Sequence, residues 1–427
     1  MLVSYIIFYD HGSEEDEAAV PDLETENSSE TENKRSSKLT TYLSLYLSRF
    51  ALGLGASMLL TFIPIYTDIL DATPFWIGMF TTGYAASGLV TILPLGWISD
   101  RYSKKLVLLW GTIASLLSYI LFMFVIDEYS LTAARILQGI AVTAGGMTGL
   151  ALIGELVPHQ QRGRLIGIYN AIRNLSSAVG SVVGGWLYIQ FGFSVPYLLL
   201  IVLTAASVLL IYYRLPPDET SIAGFTYGLV LSNKRIQAMA SFRVFYSFAV
   251  MMVRTYIPIY AGVTLGFNPV QVGSIIASEK VLNMALQPFT GHLSDRFGRF
   301  PLVLIGGVLY ASGAFVIAFQ SSFYLLFMLN AFLGLADSLR EPASMALFAE
   351  EGQGSGIASA FSIRGILWRP GMVLAPMIGS YLMSTLTIQH VFLGAVFFTI
   401  IAICGLPIVL WLQGSLSRGE LIPQIRD

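Results

Sequence analysis

The stretch LADSLREP, residues 335–342, places three charged side chains inside an otherwise apolar run. Asp337, Arg340 and Glu341 are three and four positions apart, so on a helix they share one face. An arginine on such a face can bind an anion, and a carboxylate beside it can bind and release a proton when the arginine moves. The stretch therefore predicts a polar site for anion binding, for proton exchange, or for both.

Neighbouring apolar runs carry further charges that could join this site. Arg254, the pair Glu279 and Lys280, and Arg369 all lie well inside such runs. A charge in an apolar interior is costly and either pairs with another charge or marks a functional site. The excess of cations suits a ligand with a carboxylate or phosphate group. The candidates for contact with that group are Arg254, Lys280, Arg340 and Arg369.

Two interpretations of the acidic residues stay open at this point. In the first, the charges only neutralise one another, with Asp337 bound to Arg340 and Glu341 bound to Arg254 or Lys280. In the second, one carboxylate titrates, because burial favours its protonated form and a nearby cation favours its ionised form. The candidates for proton exchange are Asp337, Glu279 and Glu341, with the first two preferred.

The elements that carry these residues are long apolar segments. Of the 427 residues, 55% are hydrophobic and only 12% are charged, against about 25% charged residues in a soluble domain. The mean hydropathy is +0.69. A helix that crosses a bilayer needs about 20 mostly apolar residues. Twelve runs meet this requirement: 41–67, 75–98, 106–126, 130–155, 165–190, 195–213, 238–262, 270–292, 301–319, 323–349, 356–383 and 390–412.

A polar segment at 214–236 divides these runs into six and six. We therefore expect an all-α integral membrane protein with two six-helix bundles, at 40–213 and 237–412. The first 39 residues hold ten acidic residues against three basic ones, which is typical of a disordered tail. Residues 413–427 form a second tail.

The positions of the basic residues predict the orientation. Nine of the 24 lysines and arginines lie inside the proposed helices, and the other fifteen lie in the tails and in loops on one side. The loops on the other side carry Asp68, Asp71, Asp127 and Glu128. Because loops rich in lysine and arginine stay in the cytoplasm, both termini and the 214–236 linker are expected there. The protein is expected in the cell membrane.

The two halves of the sequence are repeats. FIPIY at 62–66 returns as YIPIY at 256–260, and Arg49 corresponds in the same register to Arg243. Arg173 and Arg364 also correspond, and for these four arginines we expect structural pairing. A charged turn recurs as well, as GWISDRYSKK at 96–105 and GHLSDRFGRF at 291–300. Arg254, by contrast, corresponds to an apolar leucine.

This charged turn resembles the cytoplasmic loop signature of the major facilitator superfamily, G-x-x-x-D-R-x-G-R-[RK]. The first copy matches at Gly96, Asp100, Arg101 and Lys105, while Ser103 and Lys104 depart from the usual Gly-Arg. The second copy matches at Gly291, Asp295, Arg296, Gly298 and Arg299, while Phe300 replaces the last basic residue.

In this family the turn implies a latch between the two halves. We expect Gly96 to permit close helix approach, Asp100 to accept hydrogen bonds from the other half, and the basic residues to pair with Glu155. The alternative is that these charges only fix the topology.

Two more patterns resemble proton-coupled exporters of the superfamily. Arg135, Gln138 and Gly139 match an R-x-x-Q-G pattern in helix 4, although Arg135 could also extend its side chain toward the membrane surface. In helix 5, SSAVGSVVGG at 176–185 keeps three glycines of the pattern G-x-x-x-G-P-x-x-G-G. Tight helix packing is the alternative explanation for these glycines.

The resemblance covers about residues 40–412 and implies a monomeric secondary transporter that works by alternating access. We expect a small polar or anionic organic substrate, coupling to protons, and export somewhat favoured over uptake or exchange. The other class kept open is a receptor or membrane-embedded enzyme on the same scaffold.

Several kinds of chemistry have no support in the sequence. No lysine follows a glycine, so there is no phosphate-binding loop for an ATP-driven motor. Cys404 is the only cysteine, and the four histidines form no metal-binding pattern. No nucleophile and base pair suggests catalysis, and no basic patch suggests nucleic-acid binding. We therefore expect no cofactor, no metal and no enzymatic activity.

Overall fold

The computed structural model describes residues 24–156, 162–216, 232–352 and 357–412, and the regular elements in these segments are helices. Twelve helices follow one another: α1 Glu24–Ile69, α2 Pro74–Arg101, α3 Lys104–Phe122, α4 Glu128–Leu156, α5 Arg162–Phe191, α6 Ser194–Arg214, α7 Lys234–Ile259, α8 Pro269–Phe297, α9 Arg299–Ile317, α10 Phe323–Gly352, α11 in two segments, Ile357–Ile366 and Arg369–Thr385, and α12 Ile388–Leu412. A π-helical turn, Tyr260–Thr264, extends α7.

Two features differ from the expected elements. α1 begins at Glu24, so residues 24–39 are helical, whereas their composition suggested disorder. A long apolar helix supplies the nucleus from which such a segment extends. α11 is broken before Arg369, because Pro370 lacks an N–H donor and disfavours helix in the residue before it. Residues 1–23, 413–427 and most of the 214–236 linker lie outside the described residues.

The helices form the twelve-helix membrane architecture that the sequence predicts. In the described segments, nine helices are long and apolar enough to cross a membrane by length and composition. α5, α8 and α11 fall outside this set, and they carry several of the intramembrane charges. Large apolar side chains are exposed on the outer surface, among them Val90, Trp110 and Leu198. Lipid chains account for such an exposed apolar surface.

Two bundles are built in the same way. In the first, α1 packs against α5 and α6, and α4 packs against α2 and α3; in the second, α7 packs against α11 and α12, and α10 packs against α8 and α9. The bundles meet along two pairs of helices, α5 with α8 and α2 with α11. In the repeat, α2 corresponds to α8 and α5 corresponds to α11. Exchanging the two halves therefore turns the pair α5 with α8 into the pair α11 with α2, as a duplicated six-helix unit requires.

The contacts between the bundles concentrate near one end of the molecule. We call this the acidic end, because the adjoining loops carry Asp68, Asp71, Asp127 and Glu128; the opposite end, with the two charged turns, is the basic end. At the acidic end Ser380 donates a hydrogen bond to the carbonyl of Pro74, and Thr82 donates one to the carbonyl of Val373 at 3.0 Å. Hydrogen bonds from Ser130 hold the pKa of the Asp127 carboxyl below its usual range.

α5 and α8 approach so closely at the acidic end that side chains are excluded. A Cβ atom on Gly273 would lie 2.1 Å from the carbonyl oxygen of Ser181, and one on Gly185 would lie 2.3 Å from that of Pro269. Toward the basic end this tightness is lost, since a Cβ atom on Gly96 would meet only a methionine sulfur at 3.9 Å and one on Gly291 would meet nothing within 4 Å. Among the described residues, the bundles are therefore in close contact at the acidic end, and neither glycine of the charged turns touches the other bundle.

Gly273→Ala is expected to separate the bundles at the acidic end, because the new methyl group meets backbone that cannot rotate away. The closed state should lose about 1–3 kcal/mol. The measurement is the rate at which a thiol reagent labels Ser380→Cys, in a Cys404→Ser background, with and without Gly273→Ala. Gly167→Ala is the matched control, because its Cβ would enter open space. Equal labelling rates in the three proteins would show that this contact does not hold the acidic end closed.

Candidate functional site

Seven charged side chains in the middle of the second bundle form one continuous series of alternating sign. Neighbouring members of the series make ion pairs across α7, α8, α10 and α11. In order they are Lys280, Glu279, Arg254, Asp337, Arg340, Glu341 and Arg364. We call this series the charge network. Four cations and three carboxylates take part in it, so the series as a whole is cationic.

Arg254 is the central member of the charge network. From α7 its guanidinium donates to Glu279 Oε1 on α8, from Nε at 3.1 Å and from Nη2 at 2.6 Å. The same Nη2 donates to Asp337 Oδ2 on α10 at 3.0 Å. Its side chain is 31% exposed, while those of Glu279 and Asp337 are 8% and 4% exposed. One partly exposed arginine therefore neutralises two buried carboxylates on different helices.

Arg340 is enclosed by its partners. It donates to Asp337 Oδ1 at 3.2 and 3.0 Å and lies 2.9 Å from Glu341 Oε2. Its guanidinium also stacks over the rings of Tyr246 and Trp368, with 4.6 and 5.4 Å between Cζ and the ring centroids. With 4% of its side chain exposed, Arg340 positions Asp337 and is not available to a ligand in this arrangement.

The pairing of Asp337 with Arg340 is present as expected, but the expected partners of Glu341 were wrong. Glu341 binds Arg364 on α11 and Arg340 on its own helix, and not Arg254 or Lys280. Both of those cations bind Glu279 instead. Glu341 lies four residues beyond Asp337, about one helical turn further along α10. At that level its carboxylate meets Arg364 on α11 rather than the cations of α7 and α8.

The four candidate ligand-binding cations differ in availability. Arg340 is enclosed, and Lys280 donates to Glu279 at 2.8 Å while 20% of its side chain remains exposed. Arg254 is partly exposed, as described above. Arg369 starts the second segment of α11, is half-buried, and makes no ion pair with a carboxylate among the described residues. Its guanidinium lies beside Gly88 on α2, across the junction of the bundles.

The first bundle contributes cations without carboxylates. Arg49, Arg135 and Arg173 lie within its helices, and the sequence has no acidic residue between Glu128 and Glu155 or between Arg162 and Arg214. Arg49 stacks over Tyr169, with 4.7 Å from Cζ to the ring centroid. Its repeat partner Arg243 stacks in the same way over Trp368 at 4.9 Å and donates to the carbonyl of Arg364 at 2.7 Å. Arg243 and Arg364 therefore contact each other as expected, and Arg49 has a stacking contact like that of Arg243.

Arg173 is the residue whose position sequence reasoning missed. It was grouped with the structural arginines, but its side chain is exposed although it lies in the middle of α5. Its charge interacts with Arg49 in its own bundle and with Glu341, Arg254 and Arg364 in the other. Arg173 therefore faces the space between the bundles. The available signal was the lack of any acidic residue in the middle of the membrane-spanning helices of its own bundle.

Arg135 does not extend to the membrane surface. Its Nε donates to the carbonyl of Phe80 on α2 at 2.9 Å, and its Nη1 donates to Gln138 Oε1 at 2.8 Å. It is buried and stacks over Tyr84, with 4.7 Å from Cζ to the ring centroid. Gly139 lets α2 and α4 approach, because a Cβ there would lie 2.1 Å from the carbonyl oxygen of Tyr84. The R-x-x-Q-G residues thus join α2 to α4.

The glycines of helix 5 serve helix packing. Gly180 and Gly184 lie against Leu54 and Met58 of α1, and Gly185 lies against the start of α8. A side chain at any of these positions would collide with its neighbour at less than 3 Å. These contacts agree with tight packing, the alternative explanation of the exporter-like pattern.

The second copy of the charged turn makes ion pairs within its own bundle. Arg299 donates to Asp295 and to Glu350 on α10, at 2.6 Å each. Glu350 is the repeat counterpart of Glu155, so the geometry proposed for the first copy is present in the second. Gly298 ends α8 with φ +90°, a backbone conformation that favours glycine. Arg296 stacks over Phe297.

The first copy differs from its expected contacts. Lys105 donates to the carbonyls of Tyr212 and Leu215 at the end of α6, because the last carbonyls of a helix lack partners and attract a cation. Arg101 stacks over Trp97. The side chains of Asp100 and Glu155 lie outside the described residues. A Cβ atom on Gly96 would lie 3.9 Å from the sulfur of Met147 on α4, so the close helix approach expected at Gly96 stays a prediction.

Taken together, the interior of the molecule is strongly cationic. In the middle of the membrane-spanning helices lie nine lysines and arginines, at positions 49, 135, 173, 243, 254, 280, 340, 364 and 369, against three carboxylates at 279, 337 and 341. No group of His, Cys, Asp and Glu in the described segments could hold a metal ion. Anion binding between the bundles is the chemistry that this arrangement favours.

Comparisons with known proteins agree with this architecture. The family model of the Major Facilitator Superfamily matches residues 45–278 and 239–420. Multidrug resistance protein 2 of Bacillus subtilis is 22% identical over 388 residues, which cover 87% of this chain and 95% of that protein. A multi-drug resistance efflux pump PmrA homolog of Lactococcus lactis is 23% identical over 376 residues, covering 84% and 92%.

A solved structure shares the fold. It is the crystal structure of a bacterial homolog to the human lysosomal transporter Spinster, in an inward-facing and unoccupied conformation. The TM-score is 0.75 at 13% sequence identity, and the match covers 89% of this chain and 99% of that one.

Proposed function

The chain belongs to the major facilitator superfamily and is a secondary transporter, and from this premise we propose that it carries small organic anions across the cell membrane. The observation that carries the proposal is the charge imbalance in the membrane-spanning interior, where nine cations of the two bundles are accompanied by three carboxylates. Uncompensated charge in a membrane interior is expensive. An anionic solute would supply the missing negative charge.

The orientation that we propose places the basic end in the cytoplasm. It rests on the fifteen lysines and arginines of the tails and loops on that side and on the acidic loops at the other. With this orientation the close contact between the bundles lies toward the outside. Alternating access then needs one further state, in which α5 and α8, and α2 and α11, separate while the basic end closes.

The substrate site that we propose lies beside Arg254 and Arg369. Arg254 is the most exposed cation of the charge network, and Arg369 has no carboxylate partner among the described residues. They lie on α7 and α11 of the same bundle, so both can contact an anion in the space between the bundles. Lys280 is a secondary contact, because a movement of Glu279 would free it.

We propose export as the direction of transport and protons as the coupling ion. Two relatives carry multidrug resistance or efflux in their names. The membrane potential also drives anions outward, by about 2.3 kcal/mol per charge for each 100 mV. Glu279 and Asp337 are the candidate proton sites, since they share one arginine that an anion could draw away. We propose no catalytic step, and we propose that the single chain works alone.

Counterflow in proteoliposomes tests this proposal. Vesicles preloaded with unlabelled glycerol 3-phosphate, citrate or lactate are expected to accumulate the same labelled anion transiently, because a carrier exchanges solute one for one. Vesicles preloaded with an organic amine and given that labelled amine should show no accumulation. Exchange of amines without exchange of anions would contradict the anion assignment. A protein that binds an anion but exchanges nothing would instead support a receptor.

A further inference from the structure

We propose that a cavity at the acidic end is a second ligand site, separate from the proposed anion site, which binds a compact monovalent organic cation with an apolar body. The bound cation holds the two bundles together at that end and so stops alternating access. The inference goes beyond the proposed anion transport, and its main test does not depend on it.

The cavity lies between the two bundles. Its volume is about 330 Å³, and it is lined on one side by α1 and on the other by the π-helical turn after α7, the following loop and the start of α8. The two walls meet at Pro64 and Gly262, since a Cβ atom on Gly262 would lie 2.6 Å from the Cβ of Pro64. Small-molecule sites have volumes of about 300–1,000 Å³, so this cavity suits a compact ligand.

Most of the cavity lining is apolar. Ile65 of α1, Phe267 of the loop and Pro269 of α8 supply carbon surface. Thr61 contributes a hydroxyl group, but this group already donates to the carbonyl of Ser181 on α5 at 3.1 Å. A ligand in this cavity therefore needs an apolar body, and few groups remain for its polar recognition.

The charge of the lining is negative. Asp68, near the end of α1, is the only charged residue that lines the cavity. Its side chain is exposed and makes no ion pair within the described part of the chain. The two stretches of chain that form the walls, residues 50–100 and 255–279, contain no lysine or arginine. A cationic ligand can therefore supply the counter-charge that the protein does not offer to Asp68.

The helix ends at the cavity favour the same sign of ligand charge. Gly262 and Val263 lie in the π-helical turn that ends α7, where the final carbonyls lack helical partners and carry partial negative charge. The opposite, positive end of α8 also lines the cavity, but Pro269 has no N–H to donate. The next free amide, that of Gln271, already donates to Asn268 Oδ1 at 2.9 Å. An anion would therefore find few free donors here.

A ligand in this cavity stabilises the closed acidic end, because both bundles supply the walls. The same carbonyl of Ser181 that accepts from Thr61 lies 2.1 Å from a Cβ atom built on Gly273, so α1, α5 and α8 are in direct contact here. Separation of the bundles would pull the walls apart. A ligand that binds only the closed state, at ten times its dissociation constant, should make opening about tenfold rarer.

The test uses two probes of the same shape and different charge. Benzyltrimethylammonium is a permanent cation, and neopentylbenzene has a carbon in place of its nitrogen. The readout is the rate at which a thiol reagent labels Ser380→Cys in the Cys404→Ser background of the purified full chain. The cation should slow labelling in a saturable way, with a dissociation constant about three- to tenfold lower than that of the neutral probe.

Three variants locate the site. Asp68→Asn should remove the preference for the cation and leave the effect of neopentylbenzene nearly unchanged. Asp71→Asn is the matched control, because Asp71 does not line the cavity and asparagine tolerates its φ of 48°. Val263→Phe should weaken the effect of both probes, because the larger ring fills part of the cavity. Val263 is 40% exposed, so this substitution leaves the core in place.

The outcomes separate this inference from the proposed function. The cation site is refuted if benzyltrimethylammonium does not slow labelling, if both probes act equally well, or if Asp68→Asn or Val263→Phe responds to the cation as the unsubstituted protein does. Accumulation of the labelled cation by counterflow would also refute it, because a transported cation does not hold the acidic end closed. Inhibition of anion counterflow that excess anion does not relieve would support it. Failure of every anion to exchange would refute the proposed function, whereas the labelling rates would still decide on the cation site.

Discussion

Replacing Arg254 by glutamine is expected to abolish anion binding and to lower the free energy of unfolding by about 2–3 kcal/mol. The variant loses the cation that neutralises Glu279 and Asp337 together, at 2.6 and 3.0 Å. Each carboxylate keeps another partner, Lys280 for one and Arg340 for the other, so the loss should be smaller than for a fully orphaned charge. The measurements are thermal unfolding in detergent and anion counterflow.

A double variant separates stability from function. Arg254→Gln combined with Glu279→Gln removes the excess negative charge and should recover much of the lost stability, because a buried pair is costly mainly when one partner is missing. It should not recover anion binding, because the exposed guanidinium is still absent. Arg254→Lys keeps the charge but loses the fork that reaches two carboxylates, so an intermediate result is expected. If the double variant regains both properties, Arg254 serves only to neutralise Glu279.

Much of the architecture could be predicted because it depends on local sequence. Twelve apolar runs of sufficient length, a polar break after six of them and a duplicated charged turn are all readable along the chain. The helix bounds agree with the runs to within a few residues, apart from the early start of α1 and the break in α11. The break could also have been expected, because Pro370 follows Arg369 directly.

The ion pairs could be predicted only where both partners lie on one helix. Asp337 and Arg340 are three residues apart, and their pairing follows from helical geometry. The partner of Glu341 depends on whether α7, α8 or α11 lies beside its face of α10, and the sequence does not contain that information. Asp337 contacts α7 and Glu341 contacts α11, although only four residues separate them on α10, and this difference made the expected partner of Glu341 wrong.

Arg173 shows a further limit of sequence reasoning. Correspondence with Arg364 suggested that both arginines have the same structural role. The repeat preserves the backbone position, but Glu341 has no counterpart that could neutralise Arg173. An inventory of the acidic residues in the middle of the membrane-spanning helices would have separated the two, because the first bundle has none there and the second has Glu279, Asp337 and Glu341.

The last expected result concerns coupling, for which Glu279 is the better of the two leading candidates. Asp337 has a permanent partner, because Arg340 lies three residues further on the same helix and moves with it. Tyr246 also donates to Asp337 at 3.1 Å. The main partner of Glu279 is Arg254, which lies on another helix, α7. Its other partner is the adjacent Lys280. A movement of α7 against α8 would therefore leave Glu279 with a single hydrogen bond from Lys280, whereas Asp337 would keep two from Arg340 and one from Tyr246.

Glu279→Gln is accordingly expected to abolish accumulation of an anion driven by an imposed pH difference, while one-for-one exchange of anions continues. Exchange needs no net proton movement, so it can survive the loss of a proton site. Asp337→Asn should reduce both activities, because it leaves the enclosed Arg340 with Glu341 as its only carboxylate. Both variants are measured in proteoliposomes of the same composition. A protonophore, which collapses the pH difference, is added as a control. If Glu279→Gln still builds a gradient while Asp337→Asn does not, Asp337 is the proton site. If both still build a gradient, neither carboxylate is the proton site, and the anion is driven by its own gradient and the membrane potential or by a proton bound elsewhere.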